Sequence, residues 1–396
     1  MLRVRVYSWF YSGNIGDVLI ADQISNIFKK QFQCKFFDVT SGTAASKPKL
    51  SLYQPKKFTL KGRLLQVPFI RNFAGFVQSY SSKTVYNFKK IQDYKDLAVF
   101  AGGNLLMELS GGFPGYSKVL YRRVRALKKQ GIPVAFCFCG VGPFQNAAGR
   151  RYAKKILKLL SFISVRDESS KKICEELGYC KKVEIWRDPV LLYEPKITAE
   201  PKNKVAVNVY FGTQKKLQKK MQAAYCQLVN GLCQQFKNCK ISLFASETAD
   251  FPQVLSVAEH FKNNPQIEEV PVQSEKDLFS LYSKSLLVVG ARMHSLITAV
   301  VSNCPIVAVS WQAKVTAFTE FIGLSDYCIA QAQFCNSPKS AIQLAVSSAQ
   351  NFKMQAPMVA QKLQAVRNNT EMLQAAFVKQ INGKAASKNN KSGGIT

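Results

Sequence analysis

Residues 286–295 read LLVVGARMHS, and this stretch shows the unit from which the rest of the chain is built. A short apolar strand ends at Gly290, and a helix over Leu296–Val301 begins almost at once. Arg292 and His294 stand between them, two residues apart, so their side chains point the same way if the backbone is still extended there. Arginine supplies a planar cation suited to carboxylate or phosphate, and histidine supplies a proton donor or acceptor near neutral pH. A single histidine is more often structural than catalytic, but the neighbouring arginine and the strand-to-helix junction favour a functional role.

Outward from this unit, short runs of β-branched and aromatic residues alternate with longer amphipathic segments along most of the chain. These strand-like runs are Arg3–Phe10, Leu97–Ala101, Pro133–Cys139, Phe162–Val165, Val183–Ile185, Val205–Tyr210, Lys240–Phe244, Leu286–Gly290 and Pro305–Ser310. Such alternation is typical of parallel sheets covered by helices. The sequence therefore predicts an α/β fold, and the length of 396 residues favours two domains.

Composition shifts suggest where these domains begin and end. The proline-punctuated, polar segment 193–204 separates a first domain, 1–195, from a second domain, 200–350. A helical segment is expected over 351–381, followed by a disordered tail over 382–396, which has almost no apolar residues. Residues 41–96 form an irregular basic and aromatic insert. Its apolar stripe between Leu64 and Val77 fits either a buried segment that covers the edge of the sheet or an interfacial membrane segment, and we favour burial.

The charge balance points to anionic partners. The chain has 55 Lys and Arg against 24 Asp and Glu, a formal net charge of +31. This excess is compatible with phosphorylated metabolites, nucleic acid or an anionic membrane surface, and also with a basic solvated surface that has no partner. Eleven scattered cysteines without a Cys-x-x-Cys pair, and only two histidines, offer no metal-ligand spacing. Together with an N-terminus that lacks the features of a signal peptide, they indicate a reducing cytoplasm.

Ligands of open α/β sheets bind where strands end and helices begin, so residues at those positions are the candidates for a site. They are Asn14, Gly16 and Asp17 after the first strand, Gly103 and Asn104 after the second, Arg166, Arg292, His294 and Ser295, and Lys314. Each also has a plain structural interpretation. Asn14 and Asp17 can cap a helix, the glycines can form tight turns, and Arg166 can pair with an acid such as Asp188.

Taken together and in order, these motifs resemble the polysaccharide pyruvyl transferases. The resemblance rests on Asn14-x-Gly16-Asp17, Gly102-Gly103-Asn104, Gly140-x-Gly142-Pro143, Val165-Arg166-Asp167, Asp188-Pro189, Arg292-x-His294-Ser295 and Lys314, and it extends to about Gly323. It departs from the family at Trp311-Gln312, where many members have a tyrosine and an acid.

The resemblance implies two Rossmann-like domains in a GT-B-like arrangement with the active site in the interdomain cleft. It also implies that a pyruvyl group passes from phosphoenolpyruvate (PEP) to a sugar as a ketal, in surface polysaccharide or cell-wall polymer synthesis. No metal or organic cofactor is required. Catalytic roles are implied for His294, Arg292 and Asp17, and substrate-binding roles for Arg166, Lys314, Asn14, Gly16, Gly103, Asn104 and Ser295.

Several alternatives stay open at this point. A GT-B glycosyltransferase with a nucleotide-sugar donor would share the architecture, and a non-catalytic basic protein could bind an anionic membrane or nucleic acid. No sequence-specific nucleic-acid motif is present, so specific nucleic-acid binding is not expected. The sugar acceptor could be lipid-linked, which would suit peripheral contact with the inner face of the cell membrane. The helix predicted from Ala147, with Arg150, Arg151, Lys154 and Lys155 on one side, would supply basic charge there.

Overall fold

The computed structural model describes residues 1–50, 93–108, 115–195, 200–212 and 215–392. Two parallel sheets organise this part of the chain. In the N-terminal unit the strand order is β10-β9-β8-β6-β1-β3-β4, with β7 paired to β8, and only the β3–β4 pair is antiparallel. In the C-terminal unit the order is β13-β12-β11-β14-β15-β16, all parallel.

The N-terminal unit contains these elements: β1 Arg3–Ser8, β2 Tyr11–Ser12, α1 Ile15–Gln31, β3 Gln33–Asp38, β4 Ala44–Ala45, β5 Lys49–Leu50, β6 Leu97–Ala101, β7 Asn104–Glu108, α2 Tyr116–Lys129, β8 Val134–Phe144, α3 Ala147–Leu157, β9 Phe162–Val165, α4 Glu168–Glu176 and β10 Glu184–Ile185, then a 3-10 turn, Pro189–Leu192.

The C-terminal unit contains β11 Lys204–Asn208, α5 Lys215–Gln235, β12 Lys240–Phe244, α6 Phe251–Ala258, β13 Ile267–Glu269, α7 Glu275–Ser283, β14 Ser285–Gly290, α8 Met293–Val301, β15 Ile306–Ser310, α9 Ala313–Ile322, β16 Cys328–Ala330, α10 Gln331–Asn336 and α11 Pro338–Ser392. The 3-10 turns Thr248–Asp250, Glu259–Phe261 and Ser325–Tyr327 complete it.

All nine strand-like runs coincide with strands, so the α/β prediction is confirmed. Two boundaries differ in ways that matter for the site. Strand β8 continues to Phe144 through the glycines that the sequence suggested as a loop, and its Gly142–Pro143 peptide is cis. Helix α8 begins at Met293 rather than Leu296, with Arg292 as its N-cap residue.

One hydrophobic core joins the two units. It includes Ile20 of α1, Leu296 of α8, the fully buried Trp186 and Phe377 of α11. Side chains from both units therefore lose contact with water together, which favours a fixed relation between the two sheets. The two Rossmann-like units form a GT-B-like fold with a cleft between them, as the resemblance to the pyruvyl transferases implied.

The long helix α11 differs most from the sequence prediction. It begins in the C-terminal unit and reaches back to the N-terminal one, where the Phe377 ring packs against Phe32, Phe162 and Trp186. It runs without a break across the expected boundary at 350. It also continues to Ser392, so most of the predicted disordered tail is helical, as its alanines and lysines permit.

Other sequence predictions meet the structure only in part. The apolar stripe between residues 64 and 77 lies outside the described residues. No helix in the described part of the chain is long and apolar enough to cross a bilayer. All eleven cysteines are free thiols.

Candidate active site

The site lies where the loop after β1 meets the C-terminal unit. Asn14 caps α1, because its Oδ1 accepts a hydrogen bond from the Gly16 N–H at 2.8 Å. The loop is held across the cleft by two backbone bonds, from Ile15 N–H to Ser246 O and from Thr248 N–H to Gly13 O. These bonds bring the N-terminus of α1 close to the start of α8.

His294 lies in the first turn of α8 and packs directly on Gly16. A Cβ atom at position 16 would come within 2.2 Å of His294 Nδ1 and 2.3 Å of its Cγ, so only glycine fits there. On the other side of the ring, Nε2 lies 3.4 Å from Asp188 Oδ2. The ring therefore lies between Gly16 in the first turn of α1 and the Asp188 carboxylate. Asp188 is thus the acid partner of His294 that the sequence left unidentified.

Asp188 joins His294 to Arg166. The same Oδ2 atom lies 3.4 Å from Arg166 Nη1, and both side chains are only 7% exposed. Burial by itself raises the pKa of Asp188, but the charge and hydrogen bond of His294, together with Arg166, hold that pKa below its ordinary value. Asp188 is therefore a buried carboxylate that stays ionised between two cationic side chains from different units.

Arg166 is oriented by the strand ends of its own sheet. Its Nη2 donates to Asn104 Oδ1, and its Nε lies 3.5 Å from Asp167 Oδ2. A Cβ atom at Gly140 would lie 2.3 Å from Asn104 Oδ1 and 3.1 Å from the guanidinium, so this glycine makes room for the pair. Buried Arg166 Nε has no hydrogen-bond partner within the described residues.

The side chains of Arg292 and His294 do not point the same way, because the backbone is no longer extended once α8 starts at Met293. Its guanidinium forms a bidentate pair with Asp250, at 2.8 and 2.9 Å, and lies 2.8 Å from Glu247 Oε2. It also stacks on the Tyr210 ring, with Cζ 3.9 Å from the ring centroid. The sequence suggested a cation directed at substrate, whereas the structure shows one held by two carboxylates.

Asp250, one of the two acids that contact Arg292, has a shifted pKa. Burial raises its pKa to about 6, Glu247 adds to the rise, and Arg292 acts in the opposite direction. Glu247 in turn lies 3.4 Å from Asn14 Nδ2 of the other unit. The Arg292 cluster thus fastens the loop 246–250 at the contact between the units.

Lys314, near the start of α9, has no ion pair or hydrogen bond to any residue within the described ranges. Burial, followed by the charges of Arg166 and Arg292, lowers its pKa to about 8, while Asp17 and Asp188 act in the opposite direction. A half-buried ammonium beside two guanidinium groups is costly unless an anion joins it. This arrangement is typical of a site that binds an anionic ligand.

Arg166, Asp188 and Lys314 meet at an interdomain cavity of about 500 Å³. The rest of its wall is largely apolar and comes from both units: Leu191, Met293, Ile297, Ala313, Ala317, Phe318 and Phe321, with Asp167, Glu168, Ser169, Arg187 and Glu320 as the polar remainder. His294 is not part of this wall and adjoins the cavity through Asp188. The wall of the cavity therefore combines three cationic side chains and four carboxylates with an apolar remainder.

The remaining sequence-predicted residues have mostly structural contacts. Asp17 accepts a hydrogen bond from Ser12 Oγ at 2.8 Å, and it also interacts electrostatically with Lys314. Gly103 has a positive φ of 65° and packs against the Trp9 ring. Ser295 is completely buried, and its Oγ bonds to the Tyr282 hydroxyl at 2.8 Å. The Ser295 side chain therefore points into the core, and its substrate-binding role stays a prediction.

No sequence pattern indicated Glu247 and Asp250, which neutralise Arg292, and Asp188 was predicted only as a partner of Arg166. Glu247 and Asp250 stand in a loop and a 3-10 turn without any motif, more than forty residues before Arg292. The dipeptide Asp188-Pro189 was a usable signal, because an aspartate before a proline commonly caps a turn. Its carboxylate accepts from the Val190 N–H at 3.1 Å, and this fixes it in place.

Comparisons with known proteins agree with the fold. UDP-GlcNAc 2-epimerase from Neisseria meningitidis, solved with UDP-GlcNAc, has 12% identity and a TM-score of 0.56, covering 96% of this chain and 100% of that one. The Methanocaldococcus jannaschii enzyme of the same name has 10% identity and a TM-score of 0.54, covering 87% and 92%. A UDP-forming trehalose-phosphate synthase from Burkholderia xenovorans has 11% identity and a TM-score of 0.53, covering 96% and 99%. No curated protein matches by sequence. The family model for polysaccharide pyruvyl transferase matches residues 14–313.

Proposed function

Because the chain belongs to the polysaccharide pyruvyl transferase family, we propose that it transfers the pyruvyl group of PEP to two hydroxyls of a sugar, as a cyclic ketal. The observation that carries this proposal is the unpaired Lys314 beside Arg166 at the interdomain cavity. PEP has a carboxylate and a phosphate close together, so its site needs more than one cation and a partly closed, low-dielectric setting.

In this proposal Arg166 and Lys314, which both line the cavity, hold the anionic groups of PEP there. They come from different units, so PEP would draw the two sides of the cleft together. Arg166 is already oriented by Asn104 and Asp188, which lowers the entropy lost when it binds a ligand. Lys314 supplies a positive charge that forms no ion pair with a carboxylate of the described residues, although Asp17 and Asp188 interact with it over a longer distance.

His294 is the proposed general acid. Its Nε2 lies beside the carboxylate of Asp188, which also lines the cavity. The Nε2···Oδ2 separation of 3.4 Å is long for a charge-assisted hydrogen bond, so little is lost when Nε2–H turns toward a substrate. Gly16 limits the ring on the opposite side.

The reaction then balances without a cofactor. A proton from His294 adds to the methylene carbon of PEP, leaving a cationic centre at C2 that a first sugar hydroxyl attacks, with loss of that hydroxyl's proton. The C2–O bond to phosphate breaks, and inorganic phosphate departs while held by cations. A second hydroxyl of the same sugar attacks C2, closes the ring and releases its proton. The proposed cations stabilise the departing phosphate charge.

The acceptor would occupy the part of the cavity that is lined by Phe318 and Phe321 of α9. Apolar rings suit the C–H faces of a sugar, and Glu168 and Glu320 can accept hydrogen bonds from its hydroxyls. We place this reaction in the cytoplasm, which agrees with eleven free thiols.

The test combines PEP binding with phosphate release. Wild-type protein should bind PEP in a calorimeter and release phosphate from it only when a suitable saccharide is supplied from a panel. His294→Ala should lower turnover by about 10²–10⁴-fold while PEP affinity stays within a few fold. Near-normal turnover in this variant would remove His294 from the mechanism.

A parallel assay separates the proposal from the activity of the nucleotide-sugar enzymes that share the fold. The same protein is mixed with UDP- or GDP-sugars, and release of the nucleotide is measured. Nucleotide release without any effect of PEP would replace the proposed reaction with glycosyl transfer. Arg166→Ala should weaken PEP binding by about 10- to 150-fold, since a charge-assisted contact contributes about 1.5–3 kcal/mol.

A further inference from the structure

Two neighbouring helices of the N-terminal unit, α2 and α3, have an outer surface that contains only basic charge. Neither helix contains an Asp or Glu. Their exposed cations, with the turn after α3, define what we term the basic face, and they include Arg125, Lys128, Lys129, Arg151, Lys154 and Lys158. Ordinary surface helices mix the two signs, whereas here the acid beside the two helices is contributed by α4, whose Glu176 lies 3.8 Å from Arg150.

The basic face is separate from the candidate active site, yet it begins beside it. Helices α2 and α3 cover the side of the N-terminal sheet opposite α1, so they take no part in the contact between the units. Strand β7 links the two regions. At one end Asn104 holds Arg166, and at the other Glu108 caps α2 by accepting bonds from Gly115 N–H and Ser117 Oγ.

Between the two helices lies an aromatic pair. The Tyr121 and Tyr152 rings are 5.5 Å apart, and Lys155 Nζ lies 5.8 and 5.5 Å from their centroids. Both tyrosines are half-buried. Tyrosine has an apolar body and a polar tip, and it is enriched where a protein meets the headgroup region of a bilayer.

We propose that the basic face docks the protein on an anionic lipid bilayer. A planar anionic surface can meet the cations of both helices at once, and the tyrosine pair suits headgroups better than a sugar-phosphate backbone. This inference concerns a surface and stands independently of the reaction proposed above.

The test uses the full chain and sedimentation with sucrose-loaded vesicles of phosphatidylcholine alone or with about a quarter phosphatidylserine. Binding is expected only to the anionic vesicles and should weaken with salt, because exposed charges are screened beyond about 10 Å at 0.1 M. The triple variant Arg151→Glu, Lys154→Glu, Lys158→Glu removes three cations, each of which raises the vesicle partition coefficient about fivefold. Its partition coefficient should fall by about 100-fold or more.

A matched control is available on α5 of the C-terminal unit, where Lys216, Lys219 and Lys220 are exposed or nearly so. Reversing these three gives the same net charge, and vesicle binding should fall by only a few fold. Equal loss in both triple variants, or no binding of wild-type protein to anionic vesicles at low salt, would overturn the proposal. Binding to duplex DNA or RNA but not to vesicles would also overturn it.

Both variants are checked by circular dichroism and thermal melting, and a glutamine version of the triple variant guards against a folding failure. PEP-dependent phosphate release with a soluble acceptor is measured alongside and should not change. If the protein binds vesicles but releases no phosphate, the proposed docking of the basic face stands and only the proposed reaction is rejected.

Discussion

Lys314 offers the sharpest test of the candidate site, because its protonation should be coupled to PEP binding. In the free protein, burial and the neighbouring arginines lower its pKa to about 8. A bound dianion would favour the ammonium and raise that pKa again. The charged form therefore binds PEP, so affinity should be full below pH 8 and should fall as pH rises above it.

The size of the effect follows from the pKa. At pH 7 about 90% of Lys314 is protonated, and at pH 9 about 10% is, so the Kd for PEP should rise by about 10-fold between these values. This corresponds to about 1.4 kcal/mol. A phosphate ester with a second pKa near 6 is about 90% ionised at pH 7 and almost completely ionised at pH 9, so PEP itself adds little slope there.

Isothermal titration calorimetry in buffers of different ionisation enthalpy measures the coupling directly. About half a proton should be taken up per PEP bound at pH 8. Lys314→Arg should bind PEP with a flat profile between pH 7 and 9, because arginine stays charged. Lys314→Met should bind weakly and also with a flat profile. Wild-type affinity that does not change with pH, or an Arg variant that keeps the slope, would refute the assignment of Lys314 as the anion-binding cation.

Three further predictions concern neighbouring residues. Gly16→Ala should lower turnover by about 100-fold or more, since its Cβ overlaps the His294 ring, and a crystal structure with an unmoved ring would contradict this. Asp188→Asn should lower kcat, because His294 loses the carboxylate that lies 3.4 Å from its Nε2; an unchanged kcat would show that the carboxylate does not act on the acid. Arg292→Ala should destabilise the protein by about 3–5 kcal/mol at pH 7, and the loss should shrink toward pH 5 as Asp250 protonates; a pH-independent difference in thermal melting would count against the Arg292–Asp250 pair.

The sequence predicted those parts of the fold that depend on local pattern. Each strand-like run proved to be a strand, because a short apolar β-branched segment between helices has few other ways to bury its side chains. It did not predict β3, β7, β13 or β16, nor the two-residue strands β2, β4 and β5. The start of α8 also moved to Met293, since helix boundaries depend on capping and packing as well as on periodicity.

By itself the sequence also determined which residues stand where strands end: Arg166 follows β9 of one sheet, and His294 and Lys314 follow β14 and β15 of the other. Only the tertiary structure decided their partners. Asp188 faces His294 across 106 positions of chain, and Arg292 is neutralised by acids of another loop. No local pattern encodes such pairs, because whether a cation is free or neutralised depends on which distant carboxylate the packing of the two units brings within reach.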